Sequence, residues 1–253
     1  MKGSRLPAER DLVPYLSGFP PGRRWLVLAP HPDDEVIGPG ATLAQAAARG
    51  LEVKIVVVTD GGAQGDPAQR EEEARKGAEV LGVGEPEFWR LPDRSLQPGD
   101  AGLRRALRGA LERLAPDVVF VTSPVELHPD HRALALALQG TLRTVTFSGW
   151  RKRPPEWVAA YEVGSPLQPN LLVDSDEGWD AKRRAAACHA SQLAFRPYDQ
   201  IMEALGTFRS LTLTDVARAE ALHLLPARRI ARLSPRAWAS LMGTPAGVSG
   251  RRG

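Results

Sequence analysis

An apolar run turns abruptly acidic in the stretch LVLAPHPDDEVIGPGATLAQAAARG, which covers residues 26–50. Its centre places His31 beside three carboxylates, Asp33, Asp34 and Glu35. A loop that only turned a strand into a helix would need one such residue as a helix cap, and adjacent like charges repel each other. We therefore expect this loop to hold a positively charged group.

The composition is that of a folded protein with a substantial core. The chain has 253 residues, of which 43% are hydrophobic and 25% are charged, so it can form one domain or one domain with an appendage. A single cysteine, Cys188, rules out an internal disulfide framework. Neither an N-terminal export signal nor a long apolar run is found, and we expect a cytoplasmic homo-oligomer.

Charge is distributed unevenly along the chain. The formal net charge is +3, but residues 227–253 contain six arginines and no acidic residue, so the preceding part is slightly acidic. We predict a main domain over residues 1–226 and a basic C-terminal tail over residues 227–253. No basic stripe interleaved with aromatic residues runs through the main domain, which argues against a nucleic-acid partner. The tail either packs on the body as a helix with solvated arginines, which we favour, or contacts an anionic membrane.

Short apolar, β-branched runs alternate with helical patterns in the first half of the chain. The runs cover residues 24–30, 53–60, 86–92 and 116–123, and the helical patterns cover residues 40–49, 67–81 and 102–114. This alternation is typical of buried parallel strands in an α/β domain. We predict a doubly wound, mostly parallel, Rossmann-like sheet with helices on both faces, whose first four strands have the spatial order 3-2-1-4.

The pattern is weaker after residue 133. We expect strands at TVTFSGW (144–150), VAAYEV (158–163) and NLLVD (170–174), and a helix over residues 178–193. The segment from Ser234 contains Pro235, Pro245 and several glycines, so we expect it to be irregular.

Two acidic loops that carry histidine are predicted to meet. HPDDE (31–35) follows the first predicted strand and ELHPDH (126–131) follows the fourth. These strands are neighbours at the point where the winding direction reverses, which is where open α/β sheets bind ligands. His31 and Asp34 are three residues apart, as are His128 and His131, so each pair can project to one side of a helical turn.

A His, Asp and His set that leaves one position open for water is typical of a catalytic zinc site. The same ligands also accept iron(II) or cobalt, so the spacing is more specific than the metal. Each motif alone would fit a loop with a helix cap, but two such loops at one crevice favour a metal site.

The two motifs together resemble those of a known family. PHPDDE (30–35) with HPDH (128–131) resembles the LmbE/PIG-L family of zinc-dependent sugar de-N-acetylases. The resemblance extends over about residues 24–215 and includes GPGATLA, TDGGAQG, REEEARKGAEVLGV, LPDRSL and KRRAAACHASQ. It implies that the main domain is a deacetylase domain. It also implies that His31, Asp34 and His131 bind Zn²⁺, with Fe²⁺ or another divalent metal as alternatives.

The resemblance also implies roles for residues that do not bind the metal. Asp33 would be the general base, His128 would stabilise the oxyanion, and Asp130 would hold His128. Arg70 and Asp93 match positions that contact the sugar or its aglycone. This chain departs from relatives that carry a mobile tyrosine just before the second motif, since it has Glu126 and Leu127 there.

Several of these residues also have a structural interpretation. Arg70 could pair with Glu73 on a solvated helix surface. Gln192 could share a helical face with Lys182 and His189, and in the family such a face closes one wall of the site, although packing explains it equally well. Other residues are interpreted as structural: Cys188 and His223.

The function expected from the sequence is removal of acetyl from an N-acetylglucosamine-type sugar in a glycoconjugate, a thiol precursor or a secondary metabolite. Amide hydrolysis needs a strong nucleophile, an oxyanion stabiliser and a proton for the leaving amine, and the two loops contain groups for each task. The alternatives are hydrolysis of another N-acyl or carbamoyl amide, and a non-catalytic metal-dependent sugar-binding module. The motifs of serine hydrolases, P-loop NTPases and dinucleotide-binding proteins are absent from the sequence.

Overall fold

An open eight-stranded sheet forms the centre of the protein. The computed structural model describes residues 13–147 and 153–243. The strands are β1 (Leu16–Ser17), β2 (Arg24–Ala29), β3 (Glu52–Thr59), β4 (Glu87–Leu91), β5 (Val118–Thr122), β6 (Trp157–Tyr161), β7 (Leu171–Asp174) and β8 (Ala219–Pro226). Their spatial order is β1-β7-β8-β6-β5-β2-β3-β4. β8 runs antiparallel to both of its neighbours, and every other pairing is parallel.

Helices cover both faces of this sheet. They are α1 (Asp34–Ile37), α2 (Gly40–Ala48), α3 (Pro67–Leu81), α4 (Ala101–Leu114), α5 (Pro129–Phe147), α6 (Asp176–Cys188), α7 (Ala190–Leu193), α8 (Tyr198–Ser210), α9 (Ala227–Arg232) and α10 (Pro235–Ser240). Alternate residues of β2 enter different cores, since Leu26 packs with α4 and α5, whereas Val27 packs with α2 and α3. The doubly wound fold predicted from the sequence is confirmed.

The winding direction reverses between β2 and β5. The four strands predicted from the first half of the chain are adjacent as β4-β3-β2-β5, which is the expected order. Leu43 of α2, which follows β2, is buried on one face of the sheet, whereas Leu134 of α5, which follows β5, is buried on the other. The chain therefore leaves a crevice above the carboxyl ends of these two strands.

Helix α3 begins and ends at residues with clear local causes. The Asp66 carboxylate accepts the backbone N–H of Ala68, and Pro67 occupies the first turn, where its missing N–H costs no hydrogen bond. The helix ends at Gly82, whose φ of 73° lies in the left-handed region that favours glycine. These boundaries fix Arg70 on the first turns of the helix, beside the crevice.

Two expectations for the second half of the chain are wrong. Residues 144–147 end helix α5 and are not a strand. Val145, although β-branched, packs into the core from a helix that begins sixteen positions earlier, at the second motif. The remaining expected strand residues, 148–150, lie outside the described residues. The helix expected over residues 178–193 is divided into α6 and α7 at His189, which ends the first and precedes the second.

Several elements were not expected from the sequence, among them strand β1 and helix α5. Helix α8 and strand β8 were missed, and the segment from Ser234, expected to be irregular, contains helix α10. The Ser234 hydroxyl accepts the backbone N–H of Ala237 at 3.1 Å, and Pro235 begins the helix, so this segment carries a normal helix start.

The described part of the predicted tail, residues 227–243, packs on the main body. Ile230 and Trp238 are buried in the same core as helix α5, whereas the arginines of this part are exposed. The division at residue 226 stays a prediction, and Arg251 and Arg252 lie outside the described residues. Among the described helices, none combines the length and the hydropathy needed to cross a bilayer.

Candidate metal centre

The two histidine-bearing loops meet in a cleft of about 550 Å³ at the carboxyl ends of β2 and β5. Because these strands are adjacent and parallel, the residues after each one reach the same edge of the sheet. The cleft lining includes all but one of the site residues named from the sequence: His31, Asp33, Asp34, Arg70, Asp93, His128, His131 and Gln192. The exception, Asp130, is buried, with only 1% of its surface exposed.

Three donor atoms form a small triangle at the base of the cleft. Asp34 Oδ2 lies 3.1 Å from His31 Nδ1 and 3.2 Å from His131 Nε2, and the two nitrogens are 3.2 Å apart. Donors that bind Zn²⁺ at its usual bond lengths with tetrahedral geometry are separated by roughly 3.3 Å. The imidazole and carboxylate donors and their spacing therefore fit a divalent metal ion.

The electrostatics of the triangle favour a positive charge at its centre. Burial alone lowers the pKa of His131, but the Asp34 carboxylate outweighs this effect and raises it to about 9. Burial likewise opposes ionisation of Asp34, yet His131 holds the pKa of that carboxyl well below its usual range. A metal ion that binds here replaces a proton.

Further carboxylates lie beside the ring nitrogens of His31 and His131 that face away from the triangle. His31 Nε2 lies 3.1 Å from Asp93 Oδ1, and His131 Nδ1 lies 3.6 Å from Glu126 Oε2. Such carboxylates orient ligating imidazoles and raise their basicity. Asp93 Oδ2 also accepts the backbone N–H of Ala63, so both oxygens of this residue, expected to contact substrate, are engaged within the protein.

Glu126 is a site residue that the sequence motifs did not identify. Its side chain is completely buried and accepts the backbone N–H groups of Val163, Gly164 and Ser165. Glu126 therefore ties the loop after β6 to the ring of His131. The available signal was its place two residues before the HPDH motif, where an acidic residue follows a buried strand.

Asp33 lies beside the triangle in an unusual backbone conformation. Its φ is 147°, a region that residues with a side chain rarely adopt. Burial, reinforced by the charge on Asp34, raises the pKa of Asp33 to about 7, although Arg70 acts in the opposite direction. A carboxylate with this pKa can exchange a proton at neutral pH.

Glu35, the third carboxylate of the opening motif, does not belong to the triangle. It is completely buried, and Oε2 accepts the backbone N–H of Asp33 at 3.2 Å. Burial, together with the charges of Asp33 and Asp34, raises the pKa of Glu35 to about 8. At neutral pH the Glu35 carboxyl is therefore mainly protonated and neutral, and it holds the loop. Only the other two carboxyls of the motif, those of Asp33 and Asp34, then need a balancing positive charge.

Asp130 contacts His128 through its backbone and not through its carboxylate, which differs from the expectation. The backbone N–H of Asp130 donates to His128 Nδ1 at 3.2 Å. The Asp130 carboxylate instead accepts the backbone N–H groups of Arg94 and Leu96, at 2.7 and 3.2 Å. Asp130 therefore fixes the loop that follows β4, which is the loop that carries Asp93.

Arg70 is buried inside the protein, so the interpretation as a solvated surface residue paired with Glu73 is wrong. Its guanidinium donates to the carbonyl oxygens of Gly61 and Pro32 and lies 3.3 Å from Asp33 Oδ2. Arg70 therefore braces Asp33 and the first motif, while still forming part of the cleft wall.

The three residues expected to share a helical face have separate positions. Gln192 lines the cleft and donates to Gln64 O at 3.0 Å. Lys182 forms a buried ion pair with Glu220, and neither ring nitrogen of the buried His189 has a hydrogen-bond partner among the described residues. Of the three, Gln192 alone reaches this cleft in the described structure.

Comparison with protein families gives one match that includes both motifs. The GlcNAc-PI de-N-acetylase (PIG-L) family matches residues 26–140. This range begins in β2, contains the whole donor triangle and ends within α5.

Individual relatives match over most of their length. A probable N-acetyl-alpha-D-glucosaminyl L-malate deacetylase 2 of Bacillus anthracis is 30% identical over 68% of this chain and 82% of its own. Diacetylchitobiose deacetylase of Thermococcus kodakarensis is 27% identical over 67% of this chain and 70% of its own. The structure of N,N'-diacetylchitobiose deacetylase from Pyrococcus horikoshii matches with a TM-score of 0.72 and 25% identity, over 82% of this chain and 85% of that one.

Proposed function

Because the chain belongs to the PIG-L family, we propose that it is a metal-dependent hydrolase that removes acetyl from an N-acetylglucosamine-type sugar in a conjugate. The observation that carries the proposal is the donor triangle with Asp33 beside it, in a cleft large enough for an amino sugar. The relatives named above are deacetylases of different amino-sugar conjugates, which supports the reaction class and leaves the aglycone open.

His31, Asp34 and His131 would hold the metal, with Zn²⁺ as the first candidate and Fe²⁺ as an alternative. A divalent ion held there would supply an acidified water molecule and polarisation of the amide carbonyl. Asp93 and Glu126 would keep the two imidazoles oriented, because each carboxylate lies behind the ring nitrogen that faces away from the triangle.

Asp33 would accept the proton of the attacking water and pass it to the departing amine. Its pKa of about 7 suits both steps, since the ionised and protonated forms are both populated at neutral pH. Arg70 would hold the Asp33 carboxylate in place from 3.3 Å. The strained backbone at Asp33 points to the same role, because strained conformations concentrate at functional sites.

His128 would donate a hydrogen bond to the oxygen of the reacting amide. Burial, followed by the charges on His31 and His131, lowers the pKa of His128, so its ring is neutral at neutral pH. Because Nδ1 accepts the N–H of Asp130, the ring proton belongs on Nε2. The donor would therefore be a neutral imidazole.

Acetate release from a methyl glycoside of N-acetylglucosamine tests the proposal. We expect acetate from the metal-loaded protein, loss of activity after treatment with a chelator, and recovery when Zn²⁺ is restored. Parallel arms with N-propionyl and N-carbamoyl glucosamine separate a deacetylase from a hydrolase of other amides. Binding of the sugar without acetate release in any metal-loaded sample would contradict the proposal and favour a sugar-binding module.

A further inference from the structure

Two arginines line the mouth of the cleft, and their guanidinium groups have no partner among the described residues. Arg94 and Arg196 are both exposed members of the lining. Over residues 13–147 and 153–243, neither guanidinium has a hydrogen bond or an ion pair with a described side chain. Arg70 in the same cleft differs, because its guanidinium donates to two carbonyls and lies 3.3 Å from Asp33 Oδ2.

The backbone beneath each of these arginines is fixed. The N–H of Arg94 donates to Asp130 Oδ2 at 2.7 Å, and φ of Arg94 is 59°, in the left-handed region. The N–H of Arg196 donates to Gln192 O at 3.2 Å. Arg94 directly follows Asp93, which contacts His31, so this arginine begins next to the metal centre.

The charge of these two arginines is not balanced by the acids of the cleft. Asp34 and Asp93 contact histidines, Asp33 is paired with Arg70, and the Glu126 carboxylate accepts backbone N–H groups. The acids are therefore used at the base of the cleft, and a bound divalent ion would add further positive charge. The mouth consequently attracts anions.

Helix α8 adds to this preference. Tyr198 and Ile201 of its first turn line the cleft, so the positive end of the helix dipole is directed toward the mouth. Arg196 directly precedes this helix. Leu127 and Ile201 offer apolar contact beside the two arginines, which suits the carbon skeleton that joins a sugar to an acidic group.

We propose that Arg94 and Arg196 form an anion subsite and that the aglycone of the natural substrate carries a carboxylate or a phosphate. Arginine suits both groups because its planar guanidinium can donate two parallel hydrogen bonds to them. The inference rests on the proposed deacetylase function, because it places the acetylated sugar at the metal centre and the aglycone at the mouth.

The experiment compares three glycosides of N-acetylglucosamine on the metal-loaded full-length protein. One has a neutral methyl aglycone, one has a carboxylate on the aglycone, and one has a phosphate there. Arg94→Gln and Arg196→Gln are compared with the wild type and with Arg228→Gln, a matched control at an exposed arginine of α9 that does not line the cleft. Calorimetry with the corresponding deacetylated amines measures binding without turnover.

We expect the wild type to prefer an anionic glycoside, and each cleft variant to lower kcat/KM for it by roughly tenfold, mainly through KM. The methyl glycoside should be hydrolysed equally by the cleft variants and the control. Added salt should reduce the anion preference of the wild type and have little effect in the variants. The larger preference, for carboxylate or for phosphate, identifies the source of the charge.

The outcomes separate the subsite from the activity. Hydrolysis of all three glycosides with equal kcat/KM, or equal losses for all three in the cleft variants, would overturn the subsite and leave the deacetylase function intact. If no glycoside is hydrolysed but the anionic amines bind more tightly through Arg94 and Arg196, the subsite stands and the proposed function fails. If the anionic amines bind no better than the neutral amine, the subsite is overturned whatever the activity.

Discussion

The fold shifts the pKa values of the adjacent carboxyl groups of Asp33 and Asp34 in opposite directions. His131 stabilises the ionised form of Asp34, whereas burial and the neighbouring negative charge favour the protonated form of Asp33. The positive φ of Asp33 directs the two side chains to different places, at a backbone cost of about 1–3 kcal/mol. Asp34 can then bind a metal ion while Asp33 exchanges a proton.

The different roles proposed for Asp33 and Asp34 predict different results when each residue is substituted. Asp33→Asn keeps the shape of the side chain but removes the base, so kcat should fall by about a hundredfold or more with full metal content. Asp34→Ala removes a donor from the triangle, so it should lose metal as well as activity, as should His31→Ala and His131→Ala. Elemental analysis and acetate release give both readouts. Full metal occupancy in all three ligand variants would refute the assignment.

The raised pKa of His131 predicts that metal affinity depends on pH. In the metal-free protein this ring stays protonated up to a pH of about 9, and a metal needs it neutral. The apparent affinity should therefore rise with pH, by up to about tenfold per unit for each proton displaced. The rise should continue above that pKa, because hydrogen bonds to Asp130, Asp34 and Asp93 outweigh burial and raise the pKa of His31 well above its usual value. Competition with a chromogenic chelator at several pH values measures this. An affinity that stays constant from mildly acidic pH to the pKa of His131 would contradict the expected proton release.

At the scale of elements, the sequence predicted those parts of the fold in which local pattern and burial agree. Strands β2, β3 and β5 were found because most of their residues are buried, which makes each a largely apolar run, whereas β4 was found although it lies at the edge of the sheet and is only partly buried. Residues 144–147 were misjudged because Thr144 and Val145 favour strands locally, whereas the long helix α5 includes them. Strand β8 lies antiparallel to both of its neighbours although helix α8 precedes it, so the regular alternation of a parallel βα repeat does not predict it.

The candidate site shows the same limit. The two motifs predicted the donors, because ligand spacing is a local property of the sequence. Burial is not local, so the sequence left open whether Arg70 was a surface residue or a brace for Asp33. The contacts of Glu126 and Asp130 depend on loops that follow distant strands, at residues 163–165 and 94–96, and such contacts could not be read from spacing.

A buried ion pair connects helix α6 and strand β8 to the segment that follows the first motif. Lys182 of α6 donates to Glu220 of β8 at 2.5 Å and to Gly38 O at 2.7 Å. Glu220 also accepts the backbone N–H groups of Ala41 and Thr42, at the start of α2. The pair therefore connects the helix and the strand to the segment directly after the HPDDE loop.

Breaking this pair should be costly. Lys182→Met leaves the Glu220 charge buried without its partner, so we expect the free energy of unfolding to fall by about 3–5 kcal/mol in urea titrations. The double variant Lys182→Met with Glu220→Gln should recover part of that loss. Arg184→Ala, which removes an exposed pair with Asp180 on the same helix, should change stability by about 0.5 kcal/mol or less. A single variant as stable as the wild type would contradict a structural role for the pair.

At the scale of the whole molecule, residues 227–243 pack against helix α5 on one face of the sheet. Gln139 of α5 donates to the carbonyl oxygens of Ile230 and Leu233, and Arg143 donates to those of Ala231 and Leu233. These bonds join the end of α9 to α5, where the last carbonyls of a helix need partners from outside it. Ile230 O also accepts the backbone N–H of Leu233. The apolar residues of this segment are directed into the core, so its surface offers arginines without the apolar face that membrane insertion requires.

Trp238 provides the test of whether this segment is part of the fold or an appendage. Its side chain is completely buried in the core that contains Leu134 and Leu138 of α5. Trp238→Ala should therefore lower the free energy of unfolding by about 3–5 kcal/mol, because it leaves a large cavity next to α5. Arg236→Ala, an exposed neighbour on the same helix, should change it by about 0.5 kcal/mol or less. Urea titrations of both variants measure the difference.

If both variants unfold like the wild type and the full-length protein floats with anionic vesicles, the segment is a membrane-binding tail. A loss confined to Trp238→Ala, with no flotation, makes residues 227–243 a part of the folded domain.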